Sequence, residues 1–134
     1  MNRLIAATDC DWLAFCHDDD LWNPDHLAVC SQFFDSADVI VSRFVLVGRP
    51  WSTIEPWHDN FDDLRWTNWI GSPSMVVARR SAFGSWVEPC ARHRWVDWCN
   101  WNRLLNAGAR FADTGVRTTQ YRFHAEFPNG SWRA

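Results

Sequence analysis

The sequence predicts a single α/β domain, residues 1–134, with a mixed, mostly parallel sheet flanked by helices. Three observations lead there. A chain of 134 residues is long enough for one hydrophobic core and short for two. Apolar side chains make up 47% of it against 22% charged, the balance of a chain that folds. Its apolar runs also switch period from strand to helix to strand, an order that suggests a right-handed crossover and parallel pairing.

Asp11-Trp-Leu-Ala-Phe-Cys16 is a short apolar run that stops at His17-Asp18-Asp19-Asp20, and reads as a buried strand with acids at its carboxyl end. A helix start follows. Asn23 suits the N-cap and Pro24 the first helical position, with Trp22 and Leu27 as a hydrophobic staple. Leu27, Cys30 and Phe33/Phe34 recur at helical spacing, so residues 24–34 are expected to form an amphipathic helix. The β-branched run from Asp38 to Val47 is a second strand. Residues 48–68 lack periodicity and read as a long loop, a feature often tied to function. Ser74-Met-Val-Val-Ala-Arg79 is a third strand, and Arg80 to Phe83 make a short helical turn. Trp95, Trp98, Trp101, Leu104 and Leu105 mark one helical stripe over residues 95–107, and Gly108 is a natural stop. The tail alternates as two short strands, 110–112 and 116–124, before an irregular end.

Composition excludes some functions. Thirteen Arg, no Lys and sixteen acids give a net charge of -3, leaving no basic excess for sequence-blind nucleic-acid binding. The longest apolar segment, Val39 to Val47, is broken by Ser42 and Arg43, so it does not span a membrane. Cysteines at 10, 16, 30, 90 and 99 contain no C-x-x-C pair, and read as buried reduced thiols of a cytoplasmic protein. Eleven Trp and nine Phe supply apolar bulk, and some rings suit stacking on flat ligands.

The acid cluster is the strongest chemical signal. On an extended chain Asp18 and Asp20 share a face and Asp19 takes the other. Ligands of open parallel sheets bind beyond the carboxyl ends of strands, where hard oxygen donors suit Mg²⁺ or Mn²⁺ on a diphosphate. The competing reading is a solvated acidic loop before the next helix. Asp97 is either a first-turn helix charge or a general base. Arg103 is either a carboxylate partner or a phosphate binder. His124 alone is a surface or core histidine more often than a ligand.

Taken together these segments resemble the family 2 glycosyltransferases with the GT-A fold. The resemblance is carried by Trp12 through Asp18-Asp19-Asp20 to Trp22, Pro24 and Leu27. It continues in Asn68-Trp-Ile-Gly71-Ser72-Pro-Ser74-Met-Val-Val-Ala-Arg79-Arg80, in Val96-Asp97-Trp98 with Arg103, and in Tyr121-Arg122-Phe123-His124. It implies inverting transfer of a sugar from a nucleotide-diphosphate sugar, a UDP-sugar first among them, to a hydroxyl of a carbohydrate or glycan acceptor. By the same resemblance Asp18 and Asp19 hold Mn²⁺ or Mg²⁺ in a DXD-like motif, joined by His124, and Asp97 is the catalytic base. Gly71 and Ser72 resemble the loop that approaches the sugars, while Trp98 and Trp69 are either sugar-facing rings or core.

This sequence departs from the family in three places. His17 stands where another Asp is common, although imidazole also ligates Mn²⁺. Val96 stands where a Glu is common, leaving Asp97 as the only carboxylate of its motif. Family members also begin with nucleotide-binding βαβ units that end in a helix, and this chain starts at Asn2–Ala7, which resembles the last turns of that helix. The resemblance therefore implies a truncated GT-A domain, covering the C-terminal two-thirds and active only with a separate N-terminal half or through self-association. Any membrane association would come through partners. Two other readings stay open: a non-catalytic carbohydrate- or protein-binding remnant of a glycosyltransferase, and an unrelated metal-dependent hydrolase built on the acids alone.

Overall fold

The computed structural model describes residues 1–48, 58–87 and 95–122. Within them a five-stranded sheet is covered on both faces. Its elements in chain order are α1 (Asn2–Ala6), β1 (Trp12–Ala14), β2 (Leu21–Trp22), α2 (His26–Ser31), β3 (Val39–Val47), β4 (Val76–Arg79), α3 (Arg80–Phe83), α4 (Val96–Asn106) and β5 (Phe111–Arg122). Two 3₁₀ turns, η1 (Phe61–Arg65) and η2 (Pro73–Met75), lie between β3 and β4.

The strand order is β1-β4-β3-β5-β2. Val39, Ile40 and Val41 of β3 are fully buried because the strand is central and both of its faces are covered. Their alternation sorts them into two cores. Val39 and Val41 join Leu13, Phe15, Val76 and Ala78 against Phe83 of α3 and Trp101 and Leu104 of α4. Ile40 and Val77 face the other way, onto Cys30 of α2 and the flanking Phe33 and Phe34. Trp12 closes that second layer, stacked on Phe34 at 3.9 Å between centroids, with the Arg79 guanidinium 4.5 Å from its ring.

The sheet is mixed and not mostly parallel. Only β3 and β5 pair in parallel, whereas β4 runs antiparallel to both β1 and β3, and β2 antiparallel to β5. The expected crossover survives in part, since β1 and β3 point the same way with β4 inserted between them. A strand buried on both faces shows the same apolar run in either orientation, so its own residues carry no direction.

Other expectations change at element ends. The helix expected over 24–34 is regular only over His26–Ser31, and further i→i+3 hydrogen bonds carry the chain to Phe34. Asn23 does not cap it. Its side chain instead donates to the Arg117 carbonyl and accepts from Gln120, tying the helix entry to β5. Leu27 is exposed, and the ring that covers the helix start is Trp22, stacked on His26 at 4.4 Å. The two tail strands are one strand, β5, with a bulge opposite Val41 to Phe44. Gly115 takes φ +72 there, and its N–H donates to the Asp113 carboxylate that Arg43 grips at 2.7 Å. Cys30 and Cys99 are buried free thiols, but Cys10 and Cys16 are exposed, contrary to expectation; Cys90 lies outside the described residues.

The best-read element is α4. It buries Cys99, Asn100, Trp101 and Leu104 and ends in a Schellman motif, Ala109 N–H to Leu104 O and Gly108 N–H to Leu105 O. Gly108 sits at φ +80, the left-handed region that favours glycine.

Candidate metal and base site

Three of the strands, β1, β3 and β5, run in one direction, and the acids lie just past the carboxyl end of β1. From that edge the chain must reach β2 at the opposite edge, so the acidic turn is led across the end of the sheet. There it meets η2. The His17 N–H donates to Ser74 Oγ at 2.9 Å, and the turn closes through Asp20 N–H to His17 O at 3.3 Å.

Asp20 is the buried member, at 4% exposure. Its carboxylate accepts from Ser72 Oγ at 2.6 Å and from the Arg122 N–H of β5 at 3.2 Å. These bonds compensate for burying the charge while leaving further lone pairs on the oxygens. Ser72 also accepts the Ser74 N–H, which makes it the cap of η2. Ser74 in turn is anchored through its carbonyl, which accepts from Trp22 Nε1 at 2.7 Å and Thr119 Oγ1 at 3.3 Å.

The result is a convergence of His17, Asp19 and Asp20, each offering one ligand atom, with these atoms all within 4.8 Å of one another. One imidazole nitrogen and two carboxylate oxygens form a donor set that fits a divalent cation. Asp18 belongs to the same turn but is exposed and outside this trio. His124 lies outside the described residues.

Asp97 occupies the first turn of α4. Burial pushes its carboxyl above the usual carboxylate range, opposed by the Trp98 N–H at 2.8 Å, the Asn68 amide at 3.4 Å and the charge of His17. A desolvated carboxylate of raised basicity is suited to accept a proton.

The remaining candidates divide. Ser72 is in the site, next to half-buried Gly71, though its hydroxyl is directed to Asp20. The Trp98 ring N–H donates to Leu64 O at 2.6 Å, holding η1 against α4. Trp69 is buried in the core, beside Phe61 and His58. Arg103 donates to the carbonyls of Phe83 and Ser85 at 2.6 and 3.2 Å, so its guanidinium caps the end of α3. The Trp98 ring N–H and the Arg103 Nη2 are thus engaged inside the fold.

The sequence singles out Asp18 and Asp19 ahead of Asp20 and His17, and gives no hint that Ser74 and Asn68 hydrogen-bond to the acidic turn and to Asp97. A signal was present in Ser72-Pro73-Ser74, where Ser before Pro is a natural cap for a short 3₁₀ turn. Among the described residues no helix is long and apolar enough to cross a membrane. No family model matches the chain, and no curated protein matches it either.

Proposed function

We propose that the chain is a family 2-like glycosyltransferase domain of GT-A type. It would transfer a sugar, with inversion, from a nucleotide-diphosphate sugar to an acceptor hydroxyl. The observation that supports this most is the meeting of His17, Asp19 and Asp20 at a strand end, beside a desolvated Asp97 in the first turn of α4. Asp97 takes the proton of the acceptor hydroxyl as that oxygen attacks the anomeric carbon, and its desolvated carboxylate favours the transfer. Asp19 and Asp20, with His17, would hold the divalent cation, either Mn²⁺ or Mg²⁺. When bound, the cation supplies positive charge against the departing diphosphate. Ser72 and Arg122 keep the Asp20 carboxylate in place through the reaction.

Calorimetric titration of the purified chain with UDP, with and without Mn²⁺, tests this reading. Binding that requires Mn²⁺ and disappears in Asp19→Asn is the expected result. A folded, monodisperse sample that binds no UDP under either condition would count against it.

One observation favours a second reading, non-catalytic binding of carbohydrate or protein. Arg103 and the Trp98 N–H, two of the expected substrate contacts, are engaged inside the fold. Glycan binding unchanged by Asp19→Asn and Asp97→Asn would support that reading over transfer.

A further inference from the structure

A recess lies at the amino end of β1, the opposite end of that strand from the acidic turn. It encloses about 440 Å³ between α1, the residues entering β1, and α3, a size within the range of small-molecule sites. Its walls are held in place by the fold. The Asn2 side chain of α1 donates to the Trp86 carbonyl at 3.1 Å and accepts the Trp86 N–H at 2.8 Å, pinning α1 beside the segment that follows α3. Arg103 fixes the same segment from α4 through the carbonyls of Phe83 and Ser85. The start of α3 is tied to the entry of β1 by the Arg80 N–H, which donates to the Asp11 carbonyl at 2.7 Å. A Cβ built on Gly84, in this wall, would meet no atom within 4 Å, so the space stands open.

Arg80 is the unusual group in the lining. The other half-buried arginines among the described residues all have partners: Arg43 with Asp113, Arg65 with Asp62, Arg79 with Asp38, and Arg103 with its two carbonyls. The Arg80 guanidinium is half-buried as well, yet no carboxylate, carbonyl or ring among the described residues meets it. Asp11 lines the recess too, but touches Arg80 only through its backbone carbonyl. A partly desolvated guanidinium is best satisfied by an oxyanion, which its planar fork holds through two parallel hydrogen bonds. The hydroxyls of Ser81 and Ser85 line the same recess and make no hydrogen bond within the described residues.

We propose that this recess binds a small organic oxyanion, a phosphate monoester or a carboxylate, with the Arg80 guanidinium on the anionic group and the Ser81 and Ser85 hydroxyls as further donors. The space is larger than a bare phosphate ion fills, so the anionic group is carried on a larger molecule. This site stands independently of the metal and base reading above.

The test is isothermal titration of the full chain with three probes: inorganic phosphate, glycerol 3-phosphate and succinate. Each is taken to about 10 mM, where a millimolar Kd is still visible. At least one probe is expected to bind at a single site, with glycerol 3-phosphate against succinate distinguishing a phosphate ester from a carboxylate. Arg80→Gln should weaken that binding at least about tenfold, the loss expected for a charge-assisted hydrogen-bonded pair. Ala6→Phe, on α1, puts a ring into the recess while leaving Arg80 in place, and should weaken it similarly. Circular dichroism establishes that each variant is folded. Should either variant not fold, ¹H–¹⁵N spectra of the wild type decide instead, with probe-induced shifts expected at Ser81, Gly84 and Ser85. Binding of none of the probes, or shifts confined to other segments, overturns the proposal. So does binding unchanged in Arg80→Gln. Binding lost in Arg80→Gln but retained in Ala6→Phe reveals ion pairing at the surface and overturns the recess as the site.

Discussion

Removing one hydroxyl, in Ser72→Ala, perturbs the site at its best-defined joint. That hydroxyl donates to the buried Asp20 carboxylate at 2.6 Å and accepts the Ser74 N–H at 3.2 Å. A hydrogen bond to a charged group contributes about 1.5–3 kcal/mol, and leaving a buried acceptor short of a partner costs a similar amount. Loss of a helix cap costs about 1 kcal/mol more. Because a single atom makes both bonds the two figures overlap, and the expected destabilisation is about 3 kcal/mol. For a denaturant slope of about 2 kcal/mol/M this moves the urea midpoint down by about 1.5 M. Equilibrium urea unfolding followed by tryptophan fluorescence reads it directly, and Ser72→Thr, which keeps the hydroxyl, should recover most of the loss. A double-mutant cycle with Asp20→Asn should show coupling of about 1 kcal/mol or more. A loss below about 0.5 kcal/mol in Ser72→Ala, with no coupling, would refute the claim that Ser72 holds the Asp20 carboxyl group in place.

Asp97 has a raised pKa in the native state, so the folded chain binds its proton more tightly than the unfolded chain does. Its contribution to stability is therefore present below the ordinary value of 3.8 and lost as pH rises through the native value. Asp97→Asn should be more stable than wild type at neutral pH, with the advantage fading below 3.8 in thermal melts. His26 runs the other way: burial lowers its native pKa from 6.5 to about 4, opposed by the nearby Asp25 charge. Stability tied to its neutral form is present above 6.5 and lost as pH falls toward 4, a change of about 3 kcal/mol. Urea unfolding of His26→Phe, which keeps a ring for Trp22 to stack on, should show a shallower pH dependence across that window. Gly108→Ala places a side chain at φ +80 with no atom within 4 Å of its Cβ, so only backbone strain, about 1 kcal/mol, should appear in its unfolding free energy.

Much of the fold is legible in local pattern. The stripe Trp98, Trp101, Leu104 and Leu105 with Gly108 after it describes α4 and its stop, because helix period and a left-handed cap are both properties of a few adjacent residues. The β-branched run of β3 likewise reads as a strand. The acid cluster at a strand end was visible for the same reason: an apolar run that stops at charges marks where the chain leaves the core.

Partners distant along the chain were not legible. Val76 to Arg79 reads as a strand in isolation, but its insertion antiparallel between β1 and β3 follows from how the whole sheet pairs. Arg103 reads equally as a phosphate binder or a structural cation, and only packing brings it to the carbonyls of Phe83 and Ser85. His17, Asp19 and Asp20 come within 4.8 Å of one another in a turn whose two ends are held by serines more than fifty residues away. Sequence by itself determined which segments are helix or strand and where the charges gather, since periodicity and turn chemistry act over a few residues. Tertiary structure decided strand direction, the convergence of His17, Asp19 and Asp20 and the burial of Asp97, since each depends on hydrogen bonds and desolvation supplied by residues far along the chain.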